Sequence, residues 1–255
     1  MLSVPHKHKM VAALRQRLCL DQPPGGTAVS RPLIASTPDL ELFAGGLHEV
    51  VGDTGADHAA ALAFALIAAR QGQRMEGALF FAALASQSQE NGELYGHGLA
   101  QLGLAAEQVI LLSVPTEKAL LWAAEEAASC PALGAAVIAL GAREKLYGFT
   151  ASRRLKLRQE KSGVPLFIVR RMAGEPTAAT ARWRIASAPS QGVSVPGASA
   201  PLLGAPRFRL CLERYAGQPP QEWEIDYDAA HRLRVAAPLS DRPLDARRSR
   251  GRRAA

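Results

Sequence analysis

The stretch best supplied for chemistry is HEVVGDTGADHAAAL, residues 48–62. Val50 and Val51 lead into Gly52, then into a small loop containing Gly55, then into an Ala-rich run. That is the order of a strand, a phosphate loop and a helix. A working loop of this kind reads Gly-x-x-x-x-Gly-Lys-Ser/Thr. Its backbone N–H groups curl round the β-phosphate, its Lys reaches the β- and γ-oxygens, and its hydroxyl holds magnesium. Here Asp57 stands at the second Gly position, His58 at the Lys position and Ala59 at the Ser/Thr position. Hydrogen bonds to charged groups contribute about 1.5–3 kcal/mol each, so these replacements remove most of the specific affinity. Asp57 adds a carboxylate at the helix mouth, where it repels phosphate and is expected to cap the helix. His58 is mostly neutral at neutral pH and does not replace a permanent cation. The expectation is a tight strand-to-helix turn with no bound cofactor, ATP being the one ligand that the loop's shape leaves open.

The other parts of such an ATPase are missing too. A magnesium-organising Asp normally ends an apolar strand in mid-sheet, yet AAVIAL (135–140) runs into Gly141 and Ala142. A catalytic Glu is expected just after the second strand, where FFAALASQSQ offers none before Glu90. There is no Gly-x-Ser-x-Gly nucleophile arrangement. The six His show no ligand spacing beyond His6 and His8, and Cys19, Cys130 and Cys211 lie far apart without a C-x-x-C pair. Neither a metal site nor a disulfide framework is suggested. The chain is expected not to be an enzyme.

Charge points to a second kind of site. The net charge is +7, of which residues 241–255 carry +4 through six Arg and two Asp, leaving +3 for the rest. The tail holds Arg247, Arg248, Arg250, Arg252 and Arg253, able to meet phosphates without specificity or simply to stay solvated and disordered. A second basic set comprises Arg153, Arg154, Lys156, Arg158 and Lys161, with Arg170, Arg171, Arg182 and Arg184 near it in sequence. It is a candidate surface for DNA or for an acidic partner, or an ordinary solvated helix face. Trp183, between Arg182 and Arg184, could stack on a base, but its place in an alternating strand favours core. Trp122 and Leu121, in ALLWAAEEA, are likewise read as core in preference to a partner anchor.

These residues need a scaffold. At 255 residues, with 48% hydrophobic and 21% charged, the chain can bury a full core. Its longest apolar run, Ala59 to Ala69, is too short to span a bilayer, and MLSVPHKHKM lacks the apolar segment of a secretory signal. A cytoplasmic location without membrane partners is expected. Residues 1–20 are expected to form a helical arm, with Val11, Leu14 and Leu18 in one stripe, and 21–39 a Pro/Gly-rich linker. From 40 to 238 a single domain is expected, and 239–255 are expected to be a basic, disordered tail.

Short apolar strands are expected at 47–51, 77–83, 108–113, 135–140 and 164–170, with helices at 58–71, 92–102, 117–129 and 151–162. That alternation predicts an α/β fold with a mainly parallel sheet covered on both faces. ARWRIASAPS, RFRLCLERY and EWEIDYD then alternate apolar and polar residues, and the last two predict an antiparallel hairpin extending the sheet. A final HRLRVA adds a strand or trails along the edge.

In order along the chain, VVGDTGADHAAALAFALIA, LYGHGLAQLGLAAEQVILLSVPTEKALLWAAEEA, FTASRRLKLRQEKSGVPLFIVR and GAPRFRLCLERYAGQPPQEWEIDY resemble the ImuA family. These are RecA-like accessory proteins of the bacterial DNA-damage mutagenesis cassette, and the resemblance covers roughly residues 8 to 236. It implies that the 40–238 domain is RecA-like and that the chain is a non-catalytic adaptor in translesion synthesis during the SOS response. Its implied partners are ImuB, a catalytically inactive Y-family polymerase homologue, an error-prone C-family polymerase and RecA itself, while the basic segments make DNA a further candidate partner. The rival readings are a DNA-stimulated ATPase of the RecA kind and a SulA-like inhibitor of cell division. Compared with RecA, the phosphate-loop positions His58 and Ala59 depart. Only about GAREKLYGF separates the fourth strand from its helix, too little for a long DNA-gripping loop.

Overall fold

In a computed structural model, residues 38 and 40–236 are described, apart from 74–76, 142–143, 173, 198–199 and 216–217. The expected arm and tail, and the linker except residue 38, lie outside the described residues.

The core is one nine-stranded sheet flanked by helices. Its strands are β1 (Leu47–Gly52), β2 (Ala78–Leu84), β3 (Val109–Val114), β4 (Leu133–Ala139), β5 (Leu166–Arg170), β6 (Ala181–Ala188), β7 (Arg207–Tyr215), β8 (Gln221–Tyr227) and β9 (Leu233–Val235). They lie in the order β3-β2-β4-β5-β1-β6-β7-β8-β9. From β3 to β6 every neighbouring pair is parallel, and from β6 to β9 every pair is antiparallel. The helices are α1 (His58–Gln71), α2 (Ala85–Asn91), α3 (Gly96–Gln101), α4 (Glu117–Ser129) and α5 (Phe149–Ser162). The expected α/β fold, its parallel sheet and its antiparallel extension are all present, and HRLRVA supplies the last strand.

Burial explains the composition of each element. β1, β4 and β5 are buried along their whole length, which is why they read as nearly unbroken apolar runs. The Ala-rich α1 buries Phe64 to Ala69 against one sheet face, together with Val50, Phe167, Trp183, Leu210 and Trp223. A helix apolar on most sides is stable only when covered on most sides. On the opposite face Leu120 and Leu121 of α4, Leu155 of α5 and Tyr147 of the loop before α5 pack against Leu47, Ile138 and Ile168. α4 begins where the Thr116 hydroxyl accepts the Ala119 N–H at 3.2 Å, and α5 ends at Gly163, whose φ of 75° is left-handed.

Strand bounds depart from the expected ones by no more than two residues at either end, and β1 starts and β5 ends where expected. The helix expected over 92–102 is a larger departure: α2 starts directly after β2 and stops at Gly92, φ 82°, and α3 is a separate short turn. Gly92, Gly96 and Gly98 keep these turns from fusing. In the antiparallel part the expected alternation holds, with Phe208, Leu210 and Leu212 of β7 and Trp223, Ile225 and Tyr227 of β8 all buried. Among the described residues no helix is long and apolar enough to cross a membrane.

Candidate functional site

Gly52 ends β1, and the chain turns through Gly55–Asp57 into α1. A Cβ on Gly52 would stand 2.8 Å from the Thr54 carbonyl oxygen and 3.1 Å from the Asp57 carbonyl carbon, so the turn requires glycine there. Gly55 faces open space and carries no such requirement.

Asp57 does not cap α1 through its side chain, contrary to the sequence expectation. Its Oδ2 accepts the Thr54 N–H at 3.1 Å and the Thr54 hydroxyl at 2.7 Å. Its Oδ1 accepts the Ser187 N–H at 2.9 Å and the Ser187 hydroxyl at 2.7 Å. The reason is topological: β6 lies beside β1 and brings Ser187 to the loop, a neighbour invisible in sequence. Partial burial pushes the Asp57 carboxyl up, but the bonds from Ser187 and Thr54 outweigh it and hold the group down at about 2. The loop thus encloses an anion that belongs to its own chain. Next to it His58 is half-buried, its pKa lowered by burial and by Arg171, so the residue at the Lys position is kept neutral. Ala59 is exposed. Where an acid would follow the second strand, Gln87 is buried and donates to the Leu140 carbonyl at 2.7 Å, while Glu90 is exposed on α2.

A second polar cluster, which sequence reasoning did not assemble, surrounds Glu49. Glu49, in mid-β1, is fully buried. Its carboxylate meets Arg182 at 2.8 Å, Arg170 at 3.4 Å and the Thr177 hydroxyl at 2.6 Å. Arg170 also pairs with Glu144, and its guanidinium lies 5.3 Å from the centroid of the Tyr147 ring. Burial and the Glu49 carboxylate push the Tyr147 phenol well up. The signal available in sequence was one acid inside an apolar strand, whose partners lie over a hundred residues away.

The expected basic surface is therefore divided. Arg170 and Arg182 are internal ion-pair partners of Glu49. Arg184 is held by Glu213 at 2.6 Å and by Asp53 at 3.6 Å. On α5, Arg154 and Arg158 both reach Glu125 of α4, at 2.8 and 2.9 Å, and Lys156 lies 3.9 Å from Glu160. Arg153 and Lys161 are exposed and make no ion pair with a described residue. Arg247, Arg248, Arg250, Arg252 and Arg253 lie outside the described residues. Trp183 is core, as expected, with its indole N–H donating to Nδ1 of buried His48 at 3.3 Å. Trp122 is not: it is 66% exposed on α4, correcting the core reading, because Leu121, Ala123 and Ala124 are the residues that turn to the sheet.

The fold is a mainly parallel α/β sheet with an antiparallel extension, and its β1–α1 turn is closed by its own Asp57 carboxylate. No family model matches the chain. Protein ImuA of Caulobacter vibrioides (strain NA1000 / CB15N) is 32% identical over 222 residues, covering 79% of this chain and 84% of the relative. Protein ImuA of Caulobacter vibrioides (strain ATCC 19089 / CIP 103742 / CB 15) gives the same values. The chain belongs to the ImuA family. SulA from Pseudomonas aeruginosa, in its crystal structure, is similar over 49% of this chain and 98% of its own, at 17% identity and a TM-score of 0.37, which is too loose to carry an argument.

Proposed function

We propose that this chain is a non-catalytic adaptor in DNA-damage-induced mutagenesis, holding an ImuB-type inactive Y-family polymerase and an error-prone C-family polymerase together during translesion synthesis. Membership of the ImuA family makes it a DNA-damage-related accessory protein. The observation that carries the non-catalytic part is the Asp57 carboxylate, which takes the N–H of Thr54 and of Ser187 for itself. A phosphate entering this loop would meet a fixed negative charge and find neither a Lys nor a magnesium-binding hydroxyl. RecA and DNA are further proposed contacts, and a cytoplasmic site of action follows from the pathway.

Calorimetry with ATP and magnesium, with and without single-stranded DNA, tests this reading on the wild type and on an Asp57→Gly, His58→Lys, Ala59→Thr variant. The expected outcome is no binding heat from wild type. Micromolar binding by wild type would overturn it in favour of a DNA-stimulated ATPase. Co-purification with the ImuB-type protein tests the adaptor role, and capture of a cell-division protein in its place would favour an inhibitor of division.

A further inference from the structure

We propose that the outer face of α4 and α5, centred on Trp122, is a docking surface for an acidic amphipathic helix of a partner protein. The proposal rests on the adaptor reading and gives it a location. Trp122 is 66% exposed, and Leu146, Phe149 and Leu157 are each about half exposed. On α5, Phe149, Arg153, Leu157 and Lys161 follow one another at intervals of four and so form one stripe. All four are exposed. Lys118 stands one turn before Trp122 on α4 and is exposed as well.

The two helices present these side chains as a single rigid surface. Glu125 of α4 binds both Arg154 and Arg158 of α5. At the other end the Glu117 carboxylate accepts the N–H groups of Lys145, Leu146 and Tyr147, at 3.0, 2.8 and 3.2 Å. That fixes the loop carrying Leu146 against the start of α4. Large apolar side chains held rigidly in water are the anchors a helix-binding surface needs.

Charge selects the partner. Lys118, Lys145, Arg153 and Lys161 are exposed and make no ion pair with a described residue. Glu125 is already matched by two Arg and Glu160 by Lys156, which leaves Glu126, one turn after Trp122, as the exposed acid on the same stripe against these four cations. A ligand that complements this face is apolar along one stripe and acidic on its flanks. Trp122 and Phe149 could stack on bases, but Leu146 and Leu157, half of the large apolar side chains of the face, offer no stacking plane, so nucleic acid uses the face less fully.

Trp122 reports on the proposal directly, since the other two of the three Trp, Trp183 and Trp223, are buried. The test uses the full chain and acrylamide quenching of its fluorescence. The probes are a synthetic helix of about 18 residues with one Leu/Phe stripe and Glu flanks, the same composition scrambled, and oligo(dT) of about 25 nucleotides. The expected result is that the amphipathic peptide alone shields Trp122, more weakly as salt rises. With labelled peptide, Trp122→Ala and the Arg153→Glu, Lys161→Glu pair each weaken binding by about tenfold or more. Equal shielding by the scrambled peptide, shielding by oligo(dT) instead, or none by any probe overturns the proposal. So does shielding that appears on concentrating the chain alone, which would make a second copy the occupant. Co-purification of the ImuB-type protein with wild type is read separately, so the adaptor role can stand when the peptide result fails.

Discussion

Asp57 and Ser187 are 130 residues apart, yet one carboxylate oxygen of Asp57 accepts both the N–H and the hydroxyl of Ser187. The other oxygen accepts the same two groups from Thr54. This carboxylate therefore ties the β1–α1 turn to β6, and the loop is a structural brace. Asp57→Ala leaves the Thr54 and Ser187 N–H groups without their acceptor. The expected loss is about 3 kcal/mol of unfolding free energy, since bonds to a charged acceptor are individually worth about 1.5–3 kcal/mol and do not add fully. Urea denaturation of wild type and variant measures it, and a loss below about 0.5 kcal/mol would contradict the brace.

The turn itself makes a paired prediction. Gly52→Ala forces a methyl group to 2.8 Å from the Thr54 carbonyl oxygen, whereas Gly55→Ala meets nothing within 4 Å. The first is expected to cost about 2 kcal/mol and the second to stay within about 0.5 kcal/mol of wild type. Thermal melts of both variants measure the difference, and equal losses would contradict a turn set by backbone crowding at Gly52.

Glu49 presents a different balance. Its side chain is fully buried between Arg170 and Arg182, so removing it leaves two guanidinium groups without their shared acid. Glu49→Ala is expected to cost about 3–5 kcal/mol, while replacing Glu49, Arg170 and Arg182 together by apolar residues costs less than the single change. The comparison of urea midpoints decides it. Equal losses would mean that the cluster contributes packing rather than charge pairing.

How far the sequence disclosed these arrangements depends on the range of the interactions. β1, β4, β5 and α1 announce themselves because burial on both sides demands unbroken apolar runs, and β7 and β8 because one covered face demands alternation. The absent Lys and hydroxyl of the loop are local too, and were legible as His58 and Ala59. The bonds that define the site are not local. Asp57 reads as a helix cap until β6 is known to lie beside β1, and Arg182 reads as a surface charge until Glu49 is known to face it. Trp122 was misread for a simpler reason: in ALLWAAEEA small Ala residues fill most of the buried positions, so the largest apolar residue has no claim on the interior.

Acid should weaken the fold in two steps. Buried His48 stacks on Phe167, donates from Nε2 to the Gly45 carbonyl at 2.6 Å and accepts at Nδ1 from Trp183, so the folded chain holds it neutral. Burial lowers its pKa from 6.5 to about 4, against the raising effect of the Gly45 bond. The unfolded chain then binds a proton that the folded one refuses, and stability falls as pH drops from 6.5 toward 4, by about 3 kcal/mol in all. Asp57 contributes a smaller stabilisation that is fully present above 3.8 and is lost as pH falls through about 2. Urea midpoints across this range should shift less in a His48→Gln variant between neutral pH and the His48 value, and an unchanged slope would remove His48 as the cause.

Trp122 and Trp183 give the last contrast, between a side chain held for contact and one held for folding. Trp183 has no exposure and packs against Phe43, Phe64 and Trp223 with ring centroids 5.5, 5.5 and 6.1 Å away. Trp183→Ala opens a cavity there and strands His48 without its donor, so about 3–5 kcal/mol of stability should be lost. Trp122 is mostly in water, and Trp122→Ala should change stability by less than about 0.5 kcal/mol. The same two variants separate their emission: wild-type fluorescence that acrylamide reaches should vanish with Trp122 and survive in the Trp183 variant wherever it folds. A Trp122 variant as destabilised as the Trp183 one would return Trp122 to the core and remove the docking face with it.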